Sequence, residues 1–191
     1  MRSKKILTMV ECAVMVALAF ALSWVVLWKM PMGGSVTLAS MLPIMFIGIK
    51  YGPKIGLGTA FVYSLTQLLQ AVMQGDVFIY CQTAFVVVIC ALFDYVVPFS
   101  VLGLSGVFAR KTKFGAYAGM VAVTVVRFVC HFVTGVFIWG QWAPEGMGKV
   151  VYSIVYNGGF LLPDLAICIA VAIPLLQVKQ MRKLLGLTDS K

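Results

Sequence analysis

Residues 115–139 read GAYAGMVAVTVVRFVCHFVTGVFIW. Arg127 and His131 are the only basic residues in the stretch, and it holds no acid. A helix that crosses a bilayer needs ~20 mainly apolar residues, and this segment is longer than that. Arg127, His131, Gly135 and Trp139 recur at every fourth position. Each such step turns a helix by ~40°, so the set forms one slowly drifting stripe. An apolar helix carrying one polar stripe reads as a membrane span whose stripe faces the inside of a bundle.

The rest of the chain has the same character. Of 191 residues, 62% are hydrophobic and 11% charged, against roughly 25% charged in a soluble domain. The mean hydropathy is +1.02. So few charges cannot cover a soluble fold of this size, and the bilayer is its natural solvent. The apolar runs place spans at 6–28, 36–49, 55–73, 77–106, 115–139 and 150–177. The second is short for a span, which implies a tilt or a longer helix. Turn chemistry marks the breaks at Pro31-Met32-Gly33-Gly34, Tyr51-Gly52-Pro53, Gln74-Gly75-Asp76 and Pro144-Glu145-Gly146. The expected fold is an all-α bundle of six transmembrane helices, a single transmembrane domain over residues 1–191. The basic N-terminus imitates a secretion signal, but apolar residues continue to Trp28, too far for a signal's apolar core. It reads as a retained first helix.

The net charge of +9 would suggest nucleic acid in a soluble protein. Here the charges sit in clusters between apolar runs, so no nucleic-acid partner is expected. Arg2, Lys4, Lys5, Lys50, Lys54, Arg110, Lys111 and Lys113 fall on one side of the six crossings. So do Lys179, Arg182, Lys183 and Lys191, and the other side receives only Lys29 and Lys149. By the positive-inside rule both termini are cytoplasmic. Cys12, Cys81, Cys90, Cys130 and Cys168 all lie in apolar runs without a C-x-x-C pair, which suggests neither a disulfide framework nor a zinc site.

Asp94 lies deep in the fourth span. Intramembrane acids are costly and mark function by default. Pro98 has no N–H for the carbonyl of residue 94, so the helix is expected to kink or loosen there. Arg127 is expected beside Asp94 as its counter-ion. Gly135 admits two readings, close helix packing or room for a flat ligand. Asn157 carries an amide that needs partners in hydrocarbon. Tyr152 and Tyr156 are also compatible with an interfacial belt. Ala13 and Ala17, followed by Ala21, form a small-residue face that lets another helix approach. No phosphate-binding loop, H-E-x-x-H or G-x-S-x-G motif is present, and nothing pairs a nucleophile with a base, so an enzyme is not expected. A carboxylate beside aromatic faces favours a cation. An amide and an imidazole favour a heteroaromatic ring with hydrogen-bonding edges. The polar set therefore suits a flat, cationic, heteroaromatic nutrient.

Several stretches resemble the thiamine-specific substrate-binding subunit (S component) of bacterial energy-coupling-factor transporters. They are His131-Phe132-Val133-Thr134-Gly135 with Trp139, then Tyr152-Ser153 and Tyr156-Asn157. Asp94-Tyr95 with Pro98 and Gly103-Leu104-Ser105-Gly106 also match, as does Glu11 to Phe20. The resemblance implies a six-helix bundle that captures thiamine near its outer face. Its partners would be a transmembrane coupling protein and two ATPase subunits, in a bacterial cell membrane and without a cofactor. By matching positions, Trp139 would stack on the ligand and Asp94 would face the thiazolium ring. His131, Tyr152 and Asn157 would hydrogen-bond the aminopyrimidine. Tyr95 would line the pocket, Gly135 would leave it room, and Ala13 and Ala17 would contact the coupling protein. The chain also departs from the family pattern. Aspartate stands at 94 where glutamate occurs, and Thr37 where an acid is found. Pro144 takes the place of an outer-loop tryptophan for which Trp142 could substitute, and Tyr80 matches a tyrosine before the fourth span. An S component for another vitamin and a small proton-coupled carrier are the alternative transport readings.

Overall fold

The computed structural model describes residues 2–75, 77–109, 111–112 and 114–187. Arg110, Lys113 and Lys191 of the charge pattern, and Asp76 of the third break, lie outside the described residues.

Helix α1 spans Arg2–Ser23 and leads into a small antiparallel hairpin, β1 (Val26–Lys29) and β2 (Ser35–Thr37). Helices α2 (Leu42–Tyr51) and α3 (Pro53–Gln74) follow. A continuous helical rod, Ala84–Val107, is built from α4 (Ala84–Cys90), a π-turn (Ala91–Val96), α5 (Val97–Ser100) and a 3₁₀ segment (Val101–Val107). Two long helices, α6 (Gly115–Phe137) and α7 (Lys149–Gln177), and a short terminal helix, α8 (Lys179–Leu184), complete the chain.

Among the described residues, five helices are long and apolar enough to cross a membrane: Ser3–Ser23, Pro53–Gln74, Ala84–Val107, Gly115–Phe137 and Lys149–Gln177. Their outer faces expose large apolar side chains such as Phe85 (73%) and Phe137 (82%). In water those faces would drive aggregation. In a bilayer they meet lipid.

The second span of the sequence reading is corrected. Residues 36–49 do not form one tilted or extended helix. Their first residues belong to β2, and α2 has only 10 residues, too few to cross ~30 Å of hydrocarbon at 1.5 Å per residue. The first span is likewise corrected: it stops at Ser23, and residues 26–29 turn into a strand. Apart from this short hairpin the fold is helical. Apolar runs of this length do not separate strand from helix. The deciding signal was the turn Pro31-Met32-Gly33-Gly34 between two such runs, where Met32 (φ 65°) and Gly33 (φ 109°) adopt left-handed backbone.

Every residue of α2 from Leu42 to Ile49 is buried, as a helix apolar on all sides must be. Close approach is bought with glycine. A Cβ on Gly48 or Gly56 would collide with the Gly103 carbonyl, and one on Gly106 with the carbonyl of Gly48. Ser105 donates to the Met45 carbonyl at 2.6 Å. Small residues thus let α2, α3 and the 3₁₀ segment touch backbone to backbone. At the far end of α2, Lys50 and Tyr51 each reach Glu11 Oε2 of α1 at 2.5 Å.

The helix loosens where Pro98 predicts it. Val97 N–H bonds the carbonyl of Leu92, an i→i−5 contact, and the widened turn carries Asp94 inward to a buried position. Such π-turns recur at functional sites.

Candidate ligand-binding site

One cavity is enclosed by the hairpin, α3, the π-turn, α6 and α7. It gathers Asp94 and Tyr95 from the π-turn, His131 and Gly135 from α6, Trp139 just beyond it, and Tyr152 and Asn157 from α7. Those are all the residues that the sequence reading assigned to a ligand.

Asp94 is the centre of the arrangement. Its Oδ1 lies 3.2 Å from His131 Nδ1 and accepts from the Thr134 hydroxyl. Its Oδ2 accepts from Trp139 Nε1 at 3.0 Å. Thr134 follows His131 on the same face of α6, so one helix supplies two of the three donors. The Trp139 bond fixes the indole beside the carboxylate. Arg127 Nε donates to His131 Nε2 at 3.4 Å. With Nε2 accepting from Arg127, Nδ1–H is the ring donor left for Asp94 Oδ1, the arrangement of a neutral imidazole.

Arg127 corrects the expected counter-ion. Its ion pair is with Asp164 of α7, at 3.8 Å, and not with Asp94. Its Nη1 also reaches Met41 Sδ at 2.7 Å, and its guanidinium lies 4.1 Å from the Phe99 ring centroid. Asp164 Oδ1 accepts from both the backbone N–H and the hydroxyl of Thr37, each at 3.0 Å. These bonds tie the end of the hairpin to α7. Asp164 was missed by the sequence reading, although an acid inside Leu161-Leu162-Pro163-Asp164-Leu165 is a visible signal.

The helix α7 side is held by its own bonds. Asn157 Nδ2 donates to the carbonyls of His131 (3.1 Å) and Ser153 (2.9 Å). Ser153 Oγ donates to the Phe132 carbonyl at 2.9 Å. A Cβ on Gly135 would overlap Ser153 Oγ, so this glycine serves close packing of α6 on α7 as well as bordering the cavity. The hairpin tip rests on the tyrosines. Tyr156 donates to the Pro31 carbonyl and accepts from Gly34 N–H at 3.2 Å. Tyr80 and Trp142 pair edge to face at 5.6 Å and are not among the cavity-lining residues.

A family model for the thiamine transporter protein (Thia_YuaJ) matches residues 9–185. The chain belongs to that family. It is 32% identical over 181 residues to the thiamine transporter ThiT of Bacillus subtilis (strain 168), covering 87% of this chain and 88% of that one. It is 27% identical over 192 residues to the thiamine transporter ThiT of Lacticaseibacillus paracasei, with 92% and 89% covered. A solved structure of ThiT from Listeria monocytogenes matches with a TM-score of 0.74 at 26% identity, over 95% of this chain and 98% of that one. As a family member with five span-capable helices, the chain is a multi-pass membrane protein.

The cavity also has a wall that the sequence reading did not assign. Gln67, Gln70 and Gln74 line it from α3, with Ser23 at the end of α1. Three amides at helical spacing in an apolar span are a readable signal. Ala13 and Ala17 lie elsewhere, on an exposed face of α1.

Proposed function

We propose that this protein captures thiamine from outside the cell and delivers it to an ATP-driven importer of the energy-coupling-factor type. The observation that carries the reading is the carboxylate of Asp94, held by three neutral donors and facing a cavity bordered by aromatic rings. Among the described residues no lysine or arginine pairs with it, so its own charge remains for a cationic ligand. In this reading Asp94 faces the thiazolium and Trp139 stacks on the ligand. Tyr95 and Gly135 shape the pocket. Tyr152 and Asn157 hydrogen-bond the aminopyrimidine, and His131, whose ring nitrogens meet Asp94 and Arg127, borders it.

The chain would act as a single transmembrane domain with both termini cytoplasmic. The short α2 and the hairpin before it would together complete a sixth crossing. Non-helical backbone is tolerated at membrane depth when protein buries it, and Val36, Thr37, Ala39, Ser40 and Met41 are all buried. The exposed small-residue face at Ala13 and Ala17 would receive a transmembrane coupling protein, and two ATPase subunits would supply the energy.

Titration of the purified protein with thiamine tests the binding step. Stacking on Trp139 should quench tryptophan fluorescence in the parent, and the quench should be largely absent in Trp139→Ala. A parent that binds no thiamine refutes the reading. Vesicles containing the protein alone should bind thiamine without sustained uptake, whereas uptake driven by a pH gradient alone would favour a proton-coupled carrier.

A further inference from the structure

Helix α1 is the least embedded of the five span-capable helices: 11% of its span is buried, against at least 28% in each of the others. It packs mainly on α2 and α3, and Met15, Val16 and Ala19 along its middle join the apolar core. Apolar contacts are non-directional. They hold the helix against the bundle but specify its rotation only weakly.

Two directed ties supply what the apolar contacts lack. Among the described residues, the side chains of α1 hydrogen-bond the rest of the bundle only at Ser23, which meets Gln67 and Gln70 of α3, and at Glu11. Glu11 Oε2 accepts from Lys50 Nζ and from Tyr51 Oη of α2, each at 2.5 Å. Both partners of the ion pair are half-buried. At 1.5 Å per residue Glu11 stands ~12 Å inside the span that starts at Ser3, within the hydrocarbon. Ionisable groups at that depth are costly and mark function by default. Stability alone does not call for the pair, because apolar side chains of similar volume commonly join two helices as firmly. Two short bonds to one carboxylate oxygen add direction instead. Their anchor is α2, buried from Leu42 to Ile49, so the least embedded helix is tied to a fully embedded one.

We propose that Glu11 is a positioning residue for uptake: pinned by Lys50 and Tyr51, it sets the rotation of α1 and so aims the face at Ala13 and Ala17 toward the coupling protein. The inference rests on the proposed importer reading, and adds to it a residue that does not line the ligand cavity. Ala13 follows Glu11 by two positions, ~200° round the helix. Glu11 therefore faces α2 while Ala13 and Ala17 are exposed on another side. Close approach through alanines tolerates little rotation. A turn by one residue would bring Val14 or Leu18, both exposed and larger, into the contact.

The test separates binding from uptake. Thiamine dissociation constants are measured on the purified full chain. Uptake of labelled thiamine is measured in native host cells in which each variant replaces the parent, per amount of the chain in the membrane. Glu11→Leu and Lys50→Met should keep thiamine affinity within ~2-fold of the parent and lower uptake ~10-fold. Glu11→Lys with Lys50→Glu in the same chain rebuilds the pair in reverse and should recover part of the uptake. Parental uptake in both single variants overturns the proposal, and so does a reversed pair that recovers nothing. A parallel loss of affinity and uptake also overturns it, because the pair would then hold the fold and not the docking angle. If neither single variant folds, Glu11→Gln decides: the amide still accepts from Tyr51 but carries no charge, and parental uptake overturns the proposal. A parent that binds no thiamine, or whose uptake continues after ATP depletion, overturns the importer reading itself.

Discussion

Asp94 and Asp164 are both buried acids in membrane helices, yet the fold spends them differently. Asp94 meets His131, Thr134 and Trp139, all from α6 and the turn beyond it. Each donor is neutral, so the carboxylate is oriented but its charge is not cancelled. Asp164 meets a full cation, Arg127, and two donors from Thr37 of the hairpin. Its charge is cancelled, and its bonds tie three remote segments together. Residue type and depth therefore do not distinguish a binding acid from a structural one. The charge of the partners does. A carboxylate held only by neutral donors has an electrostatic vacancy that a cationic ligand can fill.

Asp164→Leu would leave Arg127 buried without its counter-ion, at a cost of about 3–5 kcal/mol. It should appear as a large fall in the thermal midpoint of the purified protein without ligand. Adding Arg127→Met in the same chain should recover most of the loss, because no unpaired charge then remains. If the single variant melts with the parent, the Arg127–Asp164 pair is not what holds hairpin and bundle together.

The long helices and the residues that meet in the cavity were legible in the sequence, and the reasons are local. Hydropathy marks a span without reference to its neighbours, and the fourfold spacing of Arg127, His131 and Trp139 marks a face within one helix. The tie between Arg127 and its acid is not local. Asp94 and Asp164 were equally available by sequence, and only the packing of α7 against α6 and the hairpin decides between them. The hairpin was hidden for another reason. Val26, Leu27 and Trp28 are as apolar as a helix end, and the strand is specified by its partner Ser35–Thr37 across the turn. The ten-residue α2 was overestimated because buried non-helical backbone reads as apolar sequence.

Asp94→Asn removes the charge that its neutral donors leave uncancelled. The amide nearly preserves shape and can still accept from Trp139, but the charge is gone. Thiamine affinity should fall ~100-fold, about 3 kcal/mol. The thermal midpoint without ligand should change far less than for Asp164→Leu, since no buried charge is stranded. A neutral aminopyrimidine fragment lacking the thiazolium should lose less affinity than thiamine does. Equal losses for the two ligands would mean that Asp94 acts through hydrogen bonding alone.

Trp139→Phe probes how the Asp94 carboxylate is kept in place. The substitution keeps an aromatic face for stacking and removes the N–H that reaches Asp94 Oδ2 at 3.0 Å. With His131 and Thr134 still bonded to Oδ1, the carboxylate retains its position but can rotate. The expected loss is about 1 kcal/mol, or ~5-fold in thiamine affinity, smaller than for Asp94→Asn and smaller than for Trp139→Ala, which also removes the stacking surface. The ordering of these three is the informative result. If Trp139→Phe costs as much as Trp139→Ala, the tryptophan serves the site chiefly as a hydrogen-bond donor that orients the acid. If it costs nothing, His131 and Thr134 hold Asp94 by themselves, and orientation from α6 alone is sufficient to present an uncancelled charge to the cavity.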